Sequence, residues 1–360
     1  MKRILICLDG TWNAETNPAS PQATNVIRLH DSAQHFKSPF QQSCYVPGVG
    51  TKIFEKLRGG IFGQGIFEQI KDGYLEIVNN YQSGARIIIA GFSRGAFSAR
   101  CLASFVATCG ILRNHASDFA DLRDKIAIDR LWDLYADRTK QGPALQSFIS
   151  RNCEPPTRGM VEAVAVWDTV SSLGVPWGIL PQNATVEMLQ QASDHDYSFL
   201  DSQLPDTVPR AYHAVALDEQ REPFRPTLFQ GDRLNDGSIL QVWFAGAHSN
   251  VGGGFADTRL SDIALDWMIR QLSLNHGLNL KSRSVSPDAP WAPIGQTSMD
   301  DVAEKAEKID HGKLQLLTPR NVPAGALLHP TADLRIKGQP GRPGIPSKAK
   351  FSGTFKVWNT

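Results

Sequence analysis

Residues 86–100 read RIIIAGFSRGAFSAR, and the order of residue types in this stretch decides the fold. Ile87 to Ala90 is an unbroken apolar run, the pattern of a strand buried on both faces. Gly91-Phe92-Ser93-Arg94-Gly95 then predicts a sharp turn into a helix of small residues, among them Ala96, Ser98 and Ala99. Strand, turn and helix in this order form the context of a nucleophile elbow. The motif predicts Ser93 at a strained bend with its hydroxyl exposed, and Gly91 and Gly95 lack the β-carbons that would collide where helix and strand approach.

Working outward, the chain offers further strands that end in polar residues. Arg3 to Leu8 predicts a first strand running into Asp9-Gly10-Thr11-Trp12-Asn13. Loops at the carboxyl ends of strands gather around the ligand crevice of open α/β sheets, so Asp9 and Trp12 are candidate substrate contacts. The same residues also fit a turn that caps the strand. An aspartyl-phosphate phosphatase would place its nucleophilic Asp two residues before Asp9, where this chain has Cys7. Asn25 to Phe36 has helical spacing, and Ser43 to Val46 predicts a strand closing in Pro47-Gly48-Val49-Gly50-Thr51, which lacks the Gly-Lys-Ser/Thr ending of a P-loop. Gly65 to Tyr81 predicts a helix before the central strand.

Beyond the elbow, residues 111–160 carry a helical stretch that fits either an inserted cap or an ordinary crossover helix pair. Val161 to Val166 predicts a strand ending in Trp167-Asp168-Thr169. The apolar, Gly- and Pro-rich run 173–181, with Trp177 as a candidate substrate contact, fits a lid, an acyl-chain wall or a loop packed on the core. Ala211 to Leu217 ends in Asp218-Glu219, and Leu240 to Ala245 opens into Gly246-Ala247-His248 and a triple glycine at 252–254. Asp262 to Leu272 has an amphipathic helical pattern. From Lys281 the pattern decays, apart from a short charged helix near 300–308 and a Pro/Gly-rich tail at 340–346. The expected organisation is a catalytic domain over 1–280, with 111–160 as its cap candidate, and an irregular extension over 281–360.

A serine hydroxyl is a weak nucleophile at neutral pH, so Ser93 needs an imidazole as base and a carboxylate to orient that imidazole. Ser93, Asp168 and His248 follow in that chain order, each at a predicted strand terminus, which is the order of α/β hydrolases. Asp218 also ends a strand before the His strand and stands as the reserve acid. The backbone N–H of Arg94 is one expected oxyanion donor, with Gly10 or Thr11 as the second.

Composition narrows the remaining classes. The 360 residues are 41% hydrophobic, enough for a substantial core, and 37 basic against 36 acidic residues leave a formal charge of +1. With no long run of either sign, a nucleic-acid partner is not expected. Five scattered cysteines predict buried thiols in a reducing compartment, with neither a disulfide framework nor a metal site, and nothing calls for a cofactor. The first residues read as a strand rather than a signal peptide, and no stretch approaches the roughly 18 apolar residues of a membrane span. Synthesis as a soluble cytoplasmic protein is the expectation, with export by a signal-less route left open.

The segments DGTWN at 9–13, GFSRGA at 91–96, VWDTV at 166–170, ALDE at 216–219 and WFAGAHSNVGGG at 243–254 resemble, as a set, the α/β-hydrolase family whose members include type VI secretion phospholipase effectors. That resemblance implies an α/β-hydrolase fold, mostly parallel with helices on both faces. It also implies a Ser-Asp-His set at Ser93, Asp168 and His248 acting on carboxylic esters, lipid esters included, with peripheral membrane contact open. A hydrolase-fold binding module without turnover, and amide cleavage by the same three residues, are the alternatives. Oligomeric state is not legible.

Overall fold

The computed structural model describes residues 1–10, 17–20, 22–36, 38–48, 62–113, 120–137, 142–171, 203–221, 224–294 and 318–358. Its centre is an eight-stranded sheet built from β1 (Arg3–Leu8), β2 (Gln41–Val46), β3 (Arg86–Phe92), β4 (Val161–Trp167), β5 (Arg210–Ala216), β6 (Ile239–Phe244), β7 (Leu327–Leu328) and β8 (Lys356–Val357). The spatial order is β8-β7-β6-β5-β4-β3-β1-β2, and every neighbouring pair is parallel. All eight carboxyl ends therefore lie on one rim, and the expected mostly parallel sheet is parallel throughout.

The apolar runs of the sequence are the consequence of burial on both faces. Ile4, Ile6 and Leu8 of β1 turn to one side, with Ile87 and Ile89 of β3, against the helices α2 (Phe62–Asn80) and α3 (Arg94–Cys109). Leu5 and Cys7, with Ile88 and Ala90, turn to the other, against α1 (Asn25–Gln34) and a helix at Arg259–His276. Period-two alternation of an all-apolar strand thus feeds two separate cores. The five cysteines are all buried free thiols, and burial pushes those of Cys44 and Cys153 up to about 12.

Among the described residues of the stretch 111–160 are two helices that pack on the core. Helices α4 (Ala120–Ala136) and α5 (Pro143–Asn152) bury Leu131, Trp132, Tyr135, Leu145 and Ile149 in the same core as α2 and α3, so they thicken that layer. Between β6 and β7 come α6 (His248–Gly252) and α7 (Arg259–His276), and α8 (Pro330–Lys337) lies between β7 and β8.

Two short strands beyond residue 280 join the same sheet. Leu327 and Leu328 of β7 pair with Val242 and Trp243 of β6, and β8 pairs with β7 in turn. Two-residue strands are too short to leave an alternating pattern, which is why the sequence gives no sign of them. The tail at 340–346 includes half of a small hairpin in which Gly338–Gln339 pairs antiparallel with Arg342–Pro343. The charged helix expected near 300–308 lies outside the described residues.

Candidate active site

The elbow forms as its sequence predicts. Ser93 sits between β3 and α3 at φ 58, ψ −124, and it makes no capping bond with its side chain, so the hydroxyl is not spent on the helix. Its two glycines are required by close approach. A β-carbon on Gly91 would lie 2.4 Å from the Gly95 carbonyl oxygen, and one on Gly95 would lie 2.4 Å from the carbonyl oxygens of both Leu8 and Asp9. The second contact shows what the motif does at a distance: Gly95 lets the first turn of α3 press on the carboxyl end of β1.

Asp168 follows β4 directly and also has a positive φ, 38°. Ser93 and Asp168 are the two non-glycine residues with positive φ among those described. Such conformations cost about 1–3 kcal/mol each and persist where surroundings enforce them, commonly at functional positions.

His248 opens α6 beyond β6, and its Nδ1 lies 2.6 Å from Asp168 Oδ2. Its ring packs on Phe92, the residue before the elbow serine, at 4.5 Å between centroids, and meets Phe224 edge-on at 4.8 Å. The structure thus brings acid and imidazole together, with the imidazole beside the elbow. No hydrogen bond between the Ser93 hydroxyl and His248 is present among the described residues; in unliganded sites such bonds are often long and tighten with substrate.

The electrostatics follow from burial and from a residue the sequence reading missed. Arg320, buried, donates from Nη1 to Asp168 Oδ1 at 2.5 Å and from Nη2 to Oδ2 at 2.8 Å. The Ala216 N–H donates to the same Oδ1 at 2.9 Å. Burial alone would push the Asp168 carboxyl up. The Arg320 charge, with hydrogen bonds from His248 and Arg320, overcomes that and holds it well below the usual carboxylate range. Burial is also the largest influence on His248, and it lowers the imidazole below its ordinary value despite the opposing pull of Asp168. A neutral imidazole facing an ionised carboxylate is the protonation state a general base needs.

The other expected site residues divide. Asp9 is completely buried, and its carboxylate accepts from Thr24 Oγ1 at 2.6 Å, the Tyr45 hydroxyl at 2.8 Å and the Gly10 N–H at 2.7 Å. It is a strut that ties the end of β1 to α1 and β2, which corrects its reading as a substrate contact. The same bond engages the Gly10 N–H, so Gly10 is not a free oxyanion donor here. The Arg94 N–H, at the first position of α3, has no acceptor among the described residues, as expected of a helix N-terminus. Its guanidinium is lowered by burial to about 10.

Asp218 is not the acid that meets His248. Its carboxylate accepts from the Gly246 N–H at 2.7 Å, Ser347 Oγ at 2.6 Å and the Lys348 N–H at 3.0 Å, tying the His loop to the C-terminal segment. Its neighbour Glu219, paired with Arg221 at 2.7 Å, accepts the His248 backbone N–H at 3.2 Å. Thr11, Trp12, Trp177 and the 173–181 run lie outside the described residues. Among the described residues no three His, Cys, Asp or Glu side chains are grouped to hold a metal ion. No described helix is long and apolar enough to cross a membrane.

Residues 2–271 match the family described as "T6SS, Phospholipase effector Tle1-like, catalytic domain". The chain belongs to this family. The motifs that carried the resemblance, from the β1 loop to the His loop, all fall inside the matched span, whereas Arg320 falls outside it.

Among curated proteins the chain is similar to the uncharacterized protein YEL023C of Saccharomyces cerevisiae, 24% identical over 243 residues, covering 63% of this chain and 33% of that protein. Among solved structures it is similar to an uncharacterized protein from Pseudomonas aeruginosa, at 18% identity and TM-score 0.43, over 86% of this chain and 51% of that one. It is also similar to the Tle1 effector bound to the VgrG spike of the type 6 secretion system, at 17% identity and TM-score 0.34, over 71% and 51%. The chain therefore spans about half the length of these solved relatives and a third of the yeast protein.

Proposed function

We propose that the chain is a serine hydrolase that cleaves carboxylic esters, with acyl esters of lipids or phospholipids as the substrate class, through an acyl-enzyme on Ser93. The family supports ester hydrolysis, and the observation that carries the residue assignment is the 2.6 Å contact between His248 Nδ1 and Asp168 Oδ2 beside the strained elbow.

In this reading Ser93 Oγ attacks the ester carbonyl carbon as His248 Nε2 takes the hydroxyl proton, and the carbonyl π electrons move to oxygen. The Arg94 N–H, at the positive end of α3, stabilises that oxyanion. Collapse of the intermediate breaks the bond to the alcohol, which leaves with the proton from His248. Water then repeats the sequence on the acyl-enzyme, releasing the fatty acid and restoring Ser93. Asp168 holds Nδ1 protonated so that Nε2 presents its lone pair.

The second reading is a binding module on the same scaffold, in which the serine is not activated. A fluorophosphonate probe separates the two, because only an activated serine reacts. Labelling of the wild-type chain, its loss in Ser93→Ala, and parallel loss of short-chain ester and phospholipid turnover are expected. An unlabelled wild-type chain, or full turnover by Ser93→Ala, overturns the assignment.

A further inference from the structure

The guanidinium of Arg320 makes four hydrogen bonds in a buried place. Two go to the two oxygens of Asp168, one from Nη1 to the Ala216 carbonyl at 2.6 Å, and one from Nη2 to the Phe224 carbonyl at 2.6 Å. Ala216 is also the residue whose N–H donates to Asp168 Oδ1, and Phe224 is the residue whose ring meets the imidazole of His248. One side chain therefore grips the acid, the end of β5 that supports the acid, and the segment that backs the base.

We propose that Arg320 is a positioning residue for the hydrolase site, holding the Asp168 carboxylate in a single rotamer and fixing the Phe224 segment against His248. The inference rests on the function proposed above and extends it to a residue beyond the matched catalytic span.

Asp168 Oδ1 accepts from Ala216 and Arg320, and Oδ2 accepts from His248 and Arg320, so any rotation of the carboxylate breaks at least two of these bonds. A planar fork suits this task, since a lysine ammonium cannot span both oxygens at once. Without the guanidinium, the fully buried Asp168 carboxylate loses its counter-charge and keeps only the Ala216 and His248 hydrogen bonds. It must then bind a proton itself or draw one more strongly onto His248. Both responses move the acid limb of catalysis to higher pH. The other charges facing His248 are Glu219, which favours its protonation, and Arg221, which opposes it; neither depends on Arg320 for its pairing.

The test compares the wild-type chain with Arg320→Gln and Arg320→Lys. Three readouts are taken: the rate of Ser93 labelling by a fluorophosphonate across pH, NMR titration of isotope-labelled His248, and kcat and KM on a short-chain ester. The wild-type limb is expected below the ordinary histidine value of about 6.5. In Arg320→Gln it should move up by about 1 pH unit, within the range produced by losing one nearby charge. Its kcat should fall about 10- to 100-fold, the scale of removing an outer hydrogen-bond partner at metal sites, while KM stays within about threefold. The lysine variant keeps the charge and should show a smaller shift with a partial loss of kcat. A role confined to stability would lower the unfolding midpoint and leave limb and kcat at wild-type values. That result in a folded Arg320→Gln chain overturns the inference, and if the glutamine variant does not fold, a wild-type limb in Arg320→Lys overturns it. Absence of labelling in the wild-type chain strikes the proposed function instead, so the two failures are distinct.

Discussion

The carbonyl of Ser93 accepts the N–H of Val170 at 3.2 Å, while the N–H of Ser93 donates to the carbonyl of Trp167 at 3.1 Å. These two bonds lace the elbow after β3 to the turn after β4. Asp168 lies between the two bonded residues, so the backbone that aims the hydroxyl and the backbone that aims the acid are one unit. Adjacent parallel strands make this lacing available, because β3 and β4 end side by side on the same rim.

Relief of the elbow strain should stabilise the chain as it removes the nucleophile. Ser93→Gly places glycine where φ is 58°, and denaturant unfolding should show a gain of about 1–3 kcal/mol over Ser93→Ala, which keeps a β-carbon at the same bend. Equal midpoints for the two variants would show that the bend is unstrained.

Gly95→Ala tests the contact between α3 and β1. The new β-carbon would meet main-chain oxygens at 2.4 Å, and the backbone cannot rotate aside as a side chain could. A loss of about 1–3 kcal/mol or more is expected in urea unfolding, together with slower probe labelling as Ser93 shifts with its helix.

The two candidate acids are separated by paired variants. Asp168→Asn should lower kcat by about 10⁴, the cost of the same change in the trypsin triad. It should also destabilise by about 3–5 kcal/mol, because Arg320 is left buried without its counter-charge. Asp218→Asn weakens only the ties to Gly246, Ser347 and Lys348, so its kcat should stay within about tenfold of wild type.

Stability should fall on acidification from about pH 6.5 downward. Burial lowers His213 to about 3 and His329 to about 4, so both stay neutral in the folded chain while the unfolded chain takes up protons near the ordinary histidine value. Their contribution is complete above that ordinary value and is lost as pH drops toward the folded values. Asp168, also lowered, adds a second loss once pH falls below the ordinary carboxylate range. Urea midpoints measured between about pH 7.5 and 5 should decline steadily, and a flat profile would show that these imidazoles are solvated.

The parts of this chain that were legible in its sequence are those where one local pattern has one meaning. Ile87 to Ala90 followed by Gly-x-Ser-x-Gly was legible as strand, bend and helix because the apolar run marks a buried strand and the two glycines fall where helix and strand meet most closely. His248 was legible for the same reason, in a glycine loop at the end of β6. The choice between Asp168 and Asp218 was not fixed locally, since both end strands; strand order and the path of the His loop decide it. Asp9 was misread because a polar loop at a strand's carboxyl end looks alike whether its carboxylate faces a ligand or, as here, Thr24 and Tyr45. Arg320 left no signal, being a single cation in an aperiodic stretch whose partner lies 152 residues earlier in the chain.

The pairing of β7 with β6 bears on how the chain is born. During synthesis from the N-terminus, β6 is complete long before Leu327 and Leu328 leave the ribosome. Until then the growing polypeptide carries an open β6 flank with Val242 and Trp243 lacking their neighbours, an invitation to pair with a stranger. A chain released after residue 294, which has β6 but neither β7 nor β8, should therefore send more product into aggregates than the released 360-residue chain.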